Sequence, residues 1–348
     1  MVTVADNLQT LVDSTKAIKQ VIIDKGGNIE GDITTWADAI SKISGGSAWT
    51  GHADSEGLKA IGWTDEDIKF YQEHGVCWNE EDDDVHRVSD DNKALYGVLT
   101  ANNISTYSSR IVYLPKIDTR GKTLFANFLQ NCKSLIAIPM LDTSAATNVS
   151  KMFFGCSALV CVPCLDLSKA TTLEAMFQAC SSLAYIPKFN TVSVKSFKNT
   201  FYGCGSLQTI PQMDFSSVTS MDGMFYYAQG LKGLPELDTH NVTTLYQSFY
   251  NCVSLSYLKL DVASVVNTNS VLGNVAIVRD MYLKNLYFSW SLSSYALLSK
   301  ESLIYTINHE AATEPITITL ASSAYTRLAE DADVVEALAN HPNVSLAK

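Results

Sequence analysis

The residues with the greatest potential for chemistry are the cysteines and histidines. Cys161 and Cys164 have the spacing of a redox pair or half a zinc site, because two residues separate them. No second pair of this spacing occurs, and the positions 24 residues later hold Tyr185 and Lys188. The six histidines are scattered, with no metal-ligand spacing. We therefore expect no metal site and no redox centre.

The sequence also lacks the common signatures of catalysis. It contains no G-x-S-x-G, no P-loop and no dinucleotide-binding glycine pattern. A polysaccharide depolymerase would need two carboxylates at a fixed separation in a groove. The regularly recurring aspartates follow strand-like segments, where a carboxylate can instead accept bonds from turn amides. We expect a protein that is not an enzyme and has no cofactor.

One surface column of aromatic residues is the best candidate for binding. It recurs every 24 residues, with Gln178 as an exception, as Phe154, Tyr202, Tyr226 and Tyr250. With two further tyrosines, the candidate binding set is Tyr202, Tyr226, Tyr250, Tyr185 and Tyr257. Stacked aromatic side chains could bind glycan rings or a protein partner. They could equally form a half-buried ladder that only stiffens the fold.

The elements that position this column are internal repeats from about Ile104 to Leu260. One column, with an alanine in place of one cysteine, is Cys132, Cys156, Cys180, Cys204, Ala228 and Cys252. Leucine recurs three residues later, and an Ile-Pro or similar pair follows it. A fixed period of this size predicts a solenoid, in which each coil buries its apolar face against its neighbours.

Each coil is predicted to have one short strand and one helical turn. Proline ends the strand because it cannot donate to a ladder, and Asp or Asn follows at a turn. A one-turn helix, such as Lys151–Gly155, is expected before the cysteine. The small apolar thiol suits the tight corner inside the stack, so we expect the column cysteines to be reduced core residues.

These columns resemble the BspA-like branch of the leucine-rich repeats, whose closest variant reads M-F-x-x-C-S-S-L-x-x-L-P-x-L-D-T-S-N-V-T-N-M. Here Met152–Leu159 reads M-F-F-G-C-S-A-L, and Leu234–Thr243 reads L-P-E-L-D-T-H-N-V-T. The resemblance covers the middle half of the chain. The family occurs in bacterial surface proteins and in fibre-like phage proteins from gut bacteria, so the resemblance implies a binding surface without naming a ligand.

The first 46 residues are predicted to be a helical anchor or oligomerisation segment. Apolar residues recur there at alternating steps of four and three, which favours a coiled-coil seam. The residues proposed for anchoring are Leu8, Leu11, Ile18, Ile22, Trp36 and Ile40. A helical hairpin that packs only on itself is the alternative. The segments Ile22–Gly27 and Thr35–Ile40 resemble N-terminal modules of tail and fibre proteins of Bacteroides gut phages.

The remaining domains follow from composition and pattern. Residues 47–103 are predicted to be an acidic helical module, with a helix that Thr64 caps and that runs through Glu73. Its Gly62–Ile68 segment resembles a module of crAss-like phage fibres. Its Glu80–Asp84 run lacks the ligand pattern of a calcium loop. The repeats occupy 104–260, and 261–348 form an α/β cap that resembles the terminal caps of such repeat proteins. The fold class is therefore α+β.

Charge and termini shape the functional expectation. A net charge of −11 argues against nucleic acid as a partner, and no apolar run is long enough to span a membrane. The lead hypothesis is a structural virion protein of a tailed phage, a fibre or fibre-associated subunit. Its partners would be other virion proteins through the N-terminal segment, copies of itself as a homo-oligomer such as a trimer, and a host surface glycan or protein. The alternative is a BspA-like bacterial surface adhesin. The residues Met1–Asp6 do not resemble a Sec signal, which counts against that alternative.

Overall fold

A computed structural model describes residues 55–60, 62–73, 112–114, 117–275, 277–293, 295 and 297–348. The chain divides into two compact units, Met1–Gly97 and Val98–Lys348. The proposed anchoring residues lie outside the described residues: Leu8, Leu11, Ile18, Ile22, Trp36 and Ile40. The acidic run Glu80–Asp84 also lies outside them.

The described part of the first unit contains two helices, α1 (Ser55–Ala60) and α2 (Asp65–Glu73). Helix α2 begins with a capping box. The Asp67 amide donates to Thr64 Oγ1 at 3.1 Å, and the Thr64 amide donates to Asp67 Oδ2 at 2.8 Å. Both otherwise unpaired amides are thereby satisfied, so the predicted cap at Thr64 is confirmed.

The second unit combines strands and helices, which confirms the α+β class. In chain order its regular elements are β1 (Tyr257–Asp261), β2 (Asp280–Lys284), β3 (Trp290–Leu292), α3 (Lys300–Asn308), β4 (Ile316–Leu320), α4 (Ser322–Leu328), α5 (Ala332–Asn340) and β5 (Val344–Ala347). Strands β1 and β2 pair in parallel, and so do β3, β4 and β5 in that order. Ser299 caps α3, because its hydroxyl accepts a hydrogen bond from the Ser302 amide at 3.3 Å.

Before β1, consecutive 24-residue units, here called coils, are joined by parallel backbone contacts. Isolated parallel bridges connect equivalent positions, such as Thr172 with Ser196 and Ser220 with Thr244. Backbone amides also donate hydrogen bonds to carbonyls 24 residues away, as from Val160 N to Ile136 O at 3.2 Å. Equivalent residues of neighbouring coils therefore lie side by side. Residues that share a column in the sequence form a line along the stack, here called a row.

The segment before each cysteine is not the predicted helical turn. In Lys151–Gly155 the amides of Lys151, Phe153 and Gly155 donate to the next coil, while those between them donate to carbonyls three residues earlier. Lys151 and Gly155 both have positive φ, at 57° and 74°. A helix would satisfy its amides within the coil and leave none for the neighbour, so the prediction of a one-turn helix is wrong.

The predicted strand does not form in the coils before β1, where only the isolated bridges Tyr113–Ala137 and Gly233–Tyr257 fall in its segment. Proline explains why. Prolines 139, 163, 187, 211 and 235 lack the amide that would extend the ladder. The equivalent position of the next coil is Lys259, and there the full strand β1 forms. Parallel pairing then continues past Leu260, with steps of 23 residues to β2 and 28 residues from β3 to β4 and from β4 to β5.

One continuous apolar core runs through this unit, from Leu114 to Val344. Its most regular feature is a phenylalanine stack in which successive ring centroids are 5.3 to 5.7 Å apart: Phe153, Phe177, Phe201, Phe225 and Phe249. Cysteines lie beside it, and four thiols donate to a carbonyl of the preceding coil, as from Cys204 Sγ to Phe177 O at 3.1 Å: those of Cys156, Cys180, Cys204 and Cys252. The column cysteines are buried and free: Cys132, Cys156, Cys180, Cys204 and Cys252.

Truncation of a core residue should destabilise more than one coil. Leu207 is fully buried in the middle of the core, so Leu207→Ala should lower the free energy of unfolding by about 2–5 kcal/mol. Because each coil depends on its neighbours, we expect the coils on both sides of the cavity to lose their structure cooperatively. Denaturant titration measures the change, and stability equal to the parent would contradict the assigned inward column.

The buried thiols should make stability depend on pH at the alkaline side. Burial raises the pKa of Cys252 to about 12, whereas an unfolded cysteine titrates near 8.5, about the usual value. The Cys252 thiol thus holds its proton more tightly in the folded state than in the unfolded state. Its contribution to the free energy of unfolding is therefore complete below about pH 8.5 and is lost as pH rises towards 12. Cys252→Ala, which copies Ala228 of the preceding coil, should show a smaller loss of stability between pH 8 and pH 10 than the parent. Equal losses in denaturant titrations would contradict the account.

Candidate functional site

Five tyrosines from three consecutive coils form one surface cluster, here called the tyrosine patch: Tyr202, Tyr226, Tyr227, Tyr246 and Tyr250. The row-over-row stacking of the coils places three of them in a ladder. The ring centroids of Tyr202 and Tyr226 are 4.7 Å apart, and those of Tyr226 and Tyr250 are 5.1 Å apart. The interplanar angles are 15° and 11°, so the rings lie nearly face to face.

The ladder is closed at one end by a glycine. A Cβ atom at Gly273 would lie 2.3 Å from Cε2 of Tyr250, so only glycine lets the backbone lie against that ring. The next residue, Asn274, places its Nδ2 3.5 Å from the Tyr250 hydroxyl. At the other end the column continues with Gln178, which is not aromatic. The ladder is therefore rigid, with its central ring covered on both faces.

Two further tyrosines lie beside the ladder and are more exposed. Tyr227 and Tyr246 each retain 43% of their surface. The Tyr227 ring contacts Tyr226 with centroids 4.8 Å apart and a tilt of 41°, and its centroid is 6.4 Å from that of Tyr250. Tyr246 is held by its backbone amide, which donates to Asp222 Oδ1 at 3.0 Å. Sequence reasoning missed both, because neither belongs to the recurring aromatic column.

The carboxylate beside Tyr246 is already engaged. Asp222 accepts from the hydroxyl of Thr244 as well as from the Tyr246 amide. Desolvation, with smaller contributions from Tyr202 and the other neighbouring tyrosines, raises the pKa of Tyr226. Tyr226 is therefore neutral near pH 7. The cluster offers phenol hydroxyls and ring edges for contact.

The other two candidate tyrosines belong to different places on the unit. Tyr185 lies near the two cysteines of the C-V-P-C motif, and burial together with Cys161 and Cys164 raises its pKa. Cys161 is buried and Cys164 is exposed, and both thiols are free. Burial raises the pKa of Cys161 to about 12, which makes it a poor nucleophile. The structure thus places Tyr202, Tyr226 and Tyr250 together and does not add Tyr185 to them.

Tyr257 lies near Glu236 and Lys259. These two residues and Gln212 help to line a polar hollow of about 250 Å³ at β1. Lys259 Nζ lies 2.8 Å from Glu236 Oε1 and 5.4 Å from the centroid of the Tyr305 ring. The hydrogen bond that Lys259 donates to Glu236 raises the pKa of Lys259. This lysine is consequently a paired cation and not a general base.

The recurring aspartates have the structural role that their spacing predicts. Asp142, Asp166 and Asp214 each accept the backbone amide two residues later, at 2.8 to 3.0 Å. Hydrogen bonds from the following serines lower the pKa of each. Among the described residues, no three His, Cys, Asp or Glu side chains come together in a metal-binding group. Within the same ranges, no helix has the length and apolar composition to cross a membrane.

Comparison with known proteins gives a family and a structural relative. The family described as "Mycoplasma protein of unknown function, DUF285" matches residues 122–234, 147–260 and 171–295, which together cover half of the chain. A leucine-rich repeat protein from Bacteroides ovatus, known from a crystal structure, is 12% identical with a TM-score of 0.16. That match covers 57% of this chain and 76% of the other. No curated protein sequence matches significantly.

Proposed function

The chain belongs to the DUF285 family, and on that premise we propose that it is a non-catalytic binding protein. Its stacked coils are a leucine-rich-repeat solenoid of the BspA-like kind, and the tyrosine patch is the surface that contacts a partner. The observation that carries this proposal is the patch itself: five neighbouring tyrosines with two exposed rings, Tyr227 and Tyr246, beside a stacked ladder.

Physical chemistry favours binding at such a surface. Tyrosine is enriched among residues that dominate binding energy, since it buries a large area yet loses few rotamers. Here the rings are already ordered by stacking, so little further conformational entropy is lost when a partner binds. A ladder that only stiffened the fold would not require the exposed Tyr227 and Tyr246 rings at its side.

We further propose that the protein is a fibre or fibre-associated subunit in the virion of a tailed phage. What supports this placement is the sequence alone: the apolar seam through Leu8, Leu11 and Ile18 and the phage-like segments that follow it. The N-terminal segment would attach the protein to other virion proteins, with self-association in the same segment. The tyrosine patch would then face the host surface or a neighbouring virion protein.

Removal of the central ring should weaken binding without loss of the fold. We expect Tyr226→Ala to raise the Kd for intact host-strain cells or purified virions at least tenfold, because truncation of a central tyrosine commonly has such a cost. Phe154→Ala is the matched control, since Phe154 occupies the same column outside the patch. Fluorescence titration of the labelled chain measures both. Equal weakening by the two variants would contradict a role for the patch.

The placement in the virion has its own test. Replacement of Leu11 and Ile18 by Asp in the full chain should abolish incorporation into particles and leave the melting temperature of the repeats unchanged. Mass spectrometry of purified particles measures incorporation, and electron microscopy locates the parent protein. Normal incorporation of the double variant would show that attachment does not depend on the N-terminal seam. Absence of the parent protein from particles would exclude the virion hypothesis.

A further inference from the structure

We propose that the tyrosine patch docks on a protein and that Tyr227 is its central contact. This inference rests on the proposed binding function and deepens it by naming the partner class and the residue that decides affinity. It begins from a residue that breaks the pattern of the repeats. The position before the cysteine column is Asn131, Gly155, Ala179, Gly203, Tyr227, Asn251 and Asn274.

Every other member of that row is small or an amide, and the backbone explains this preference. All seven residues have positive φ, and Tyr227 has φ of 60°. Glycine and asparagine adopt this left-handed conformation most readily, whereas a bulky side chain there is strained. The backbone amide of Tyr227 makes the same bond to the next coil as its equivalents, to Tyr250 O at 2.8 Å. The tyrosine is thus not needed to form the turn.

Nor is the Tyr227 ring part of the core. It is 43% exposed, and its aromatic contacts are with Tyr226 and Tyr250, two other members of the patch. The buried position that follows it holds Ala228 in place of cysteine. A strained residue that persists without supporting the interior points to a role at the surface. At position 227, that role is contact with the partner that covers the tyrosine patch.

The geometry of the ladder favours a protein over a glycan. A sugar ring binds an aromatic residue by lying on its face, but the faces of Tyr226 are covered by Tyr202 and Tyr250 at 4.7 and 5.1 Å. The Cδ2–Cε2 edge of Tyr250 lies against Gly273. What Tyr226 presents outward are its ring edge and its hydroxyl. Such groups suit the amides, carbonyls and aliphatic side chains of a protein surface.

The surroundings point to a neutral contact in the partner. Asp222 is engaged by Thr244 and by the Tyr246 amide, and the nearby Asn251 and Asn274 are uncharged. The whole chain carries a net charge of −11. The uncharged tyrosine rings lower the repulsion of an acidic partner at this surface. Tyrosine with asparagine and glycine is also the composition of protein-binding loops in antibodies.

The test compares two substitutions at equivalent positions, Tyr227→Asn and Ala179→Asn. Each places an asparagine at a positive-φ site of the same row, but Ala179 lies outside the patch. Ala179→Asn should raise the melting temperature by about 2–4 °C, equivalent to about 1 kcal/mol in a domain of this size, with unchanged binding. Tyr227→Asn should melt no lower than the parent, yet raise the Kd for intact host-strain cells or purified virions at least tenfold.

Two further arms identify the class of partner. If the parent binds cells, we expect proteinase K treatment of the cells to abolish binding and periodate oxidation of their glycans to leave it unchanged. Sensitivity to periodate alone would overturn the protein assignment. A Tyr227→Asn variant that melts lower and binds normally would show a structural residue and overturn the inference, whereas weak binding by Tyr226→Ala would still uphold the proposed function. A parent that binds neither cells nor virions would overturn both proposals.

Discussion

Backbone hydrogen bonds between coils are the constraint on which the rest of this structure depends. Alternate amides of each turn, such as those of Phe201 and Gly203, donate to the next coil, to Met224 O and Tyr226 O at 2.8 and 2.7 Å. This pairing fixes equivalent residues at the spacing of neighbouring strands, about 4.8 Å. The phenylalanine stack inside and the tyrosine ladder outside are consequences of one register. A change at one row is therefore transmitted to the rows beside it.

Much of the architecture could be predicted from the sequence, because a repeated column has one meaning in every coil. The inward leucines and cysteines, the turn aspartates and the caps at Thr64 and Ser299 all follow from spacing and residue type. The helical turn could not be excluded in this way, since its apolar pattern suits a helix as well as a turn. The alternating amide bonds and positive φ values appear only when the neighbouring coil is in place.

The candidate site was partly predictable for the same reason. Tyr202, Tyr226 and Tyr250 recur at a fixed step, so their column predicts a ladder, and the structure contains it. Tyr227 and Tyr246 occur once in their rows, and a search for repetition passes over them. The useful signal was the opposite one: a tyrosine in a row of asparagine, glycine and alanine. Repeats make such departures visible, because the other coils show what the backbone alone prefers.

The central claim is that the coils form one stack in which each is stable only through its neighbours. Native-state hydrogen exchange followed by mass spectrometry tests it most directly, through amides that donate between coils, such as those of Phe177, Phe201 and Phe225. The account predicts that these central amides exchange last and together, with protection decreasing towards the ends of the stack. Central coils that exchange in separate steps, or no more slowly than exposed turns, would contradict it.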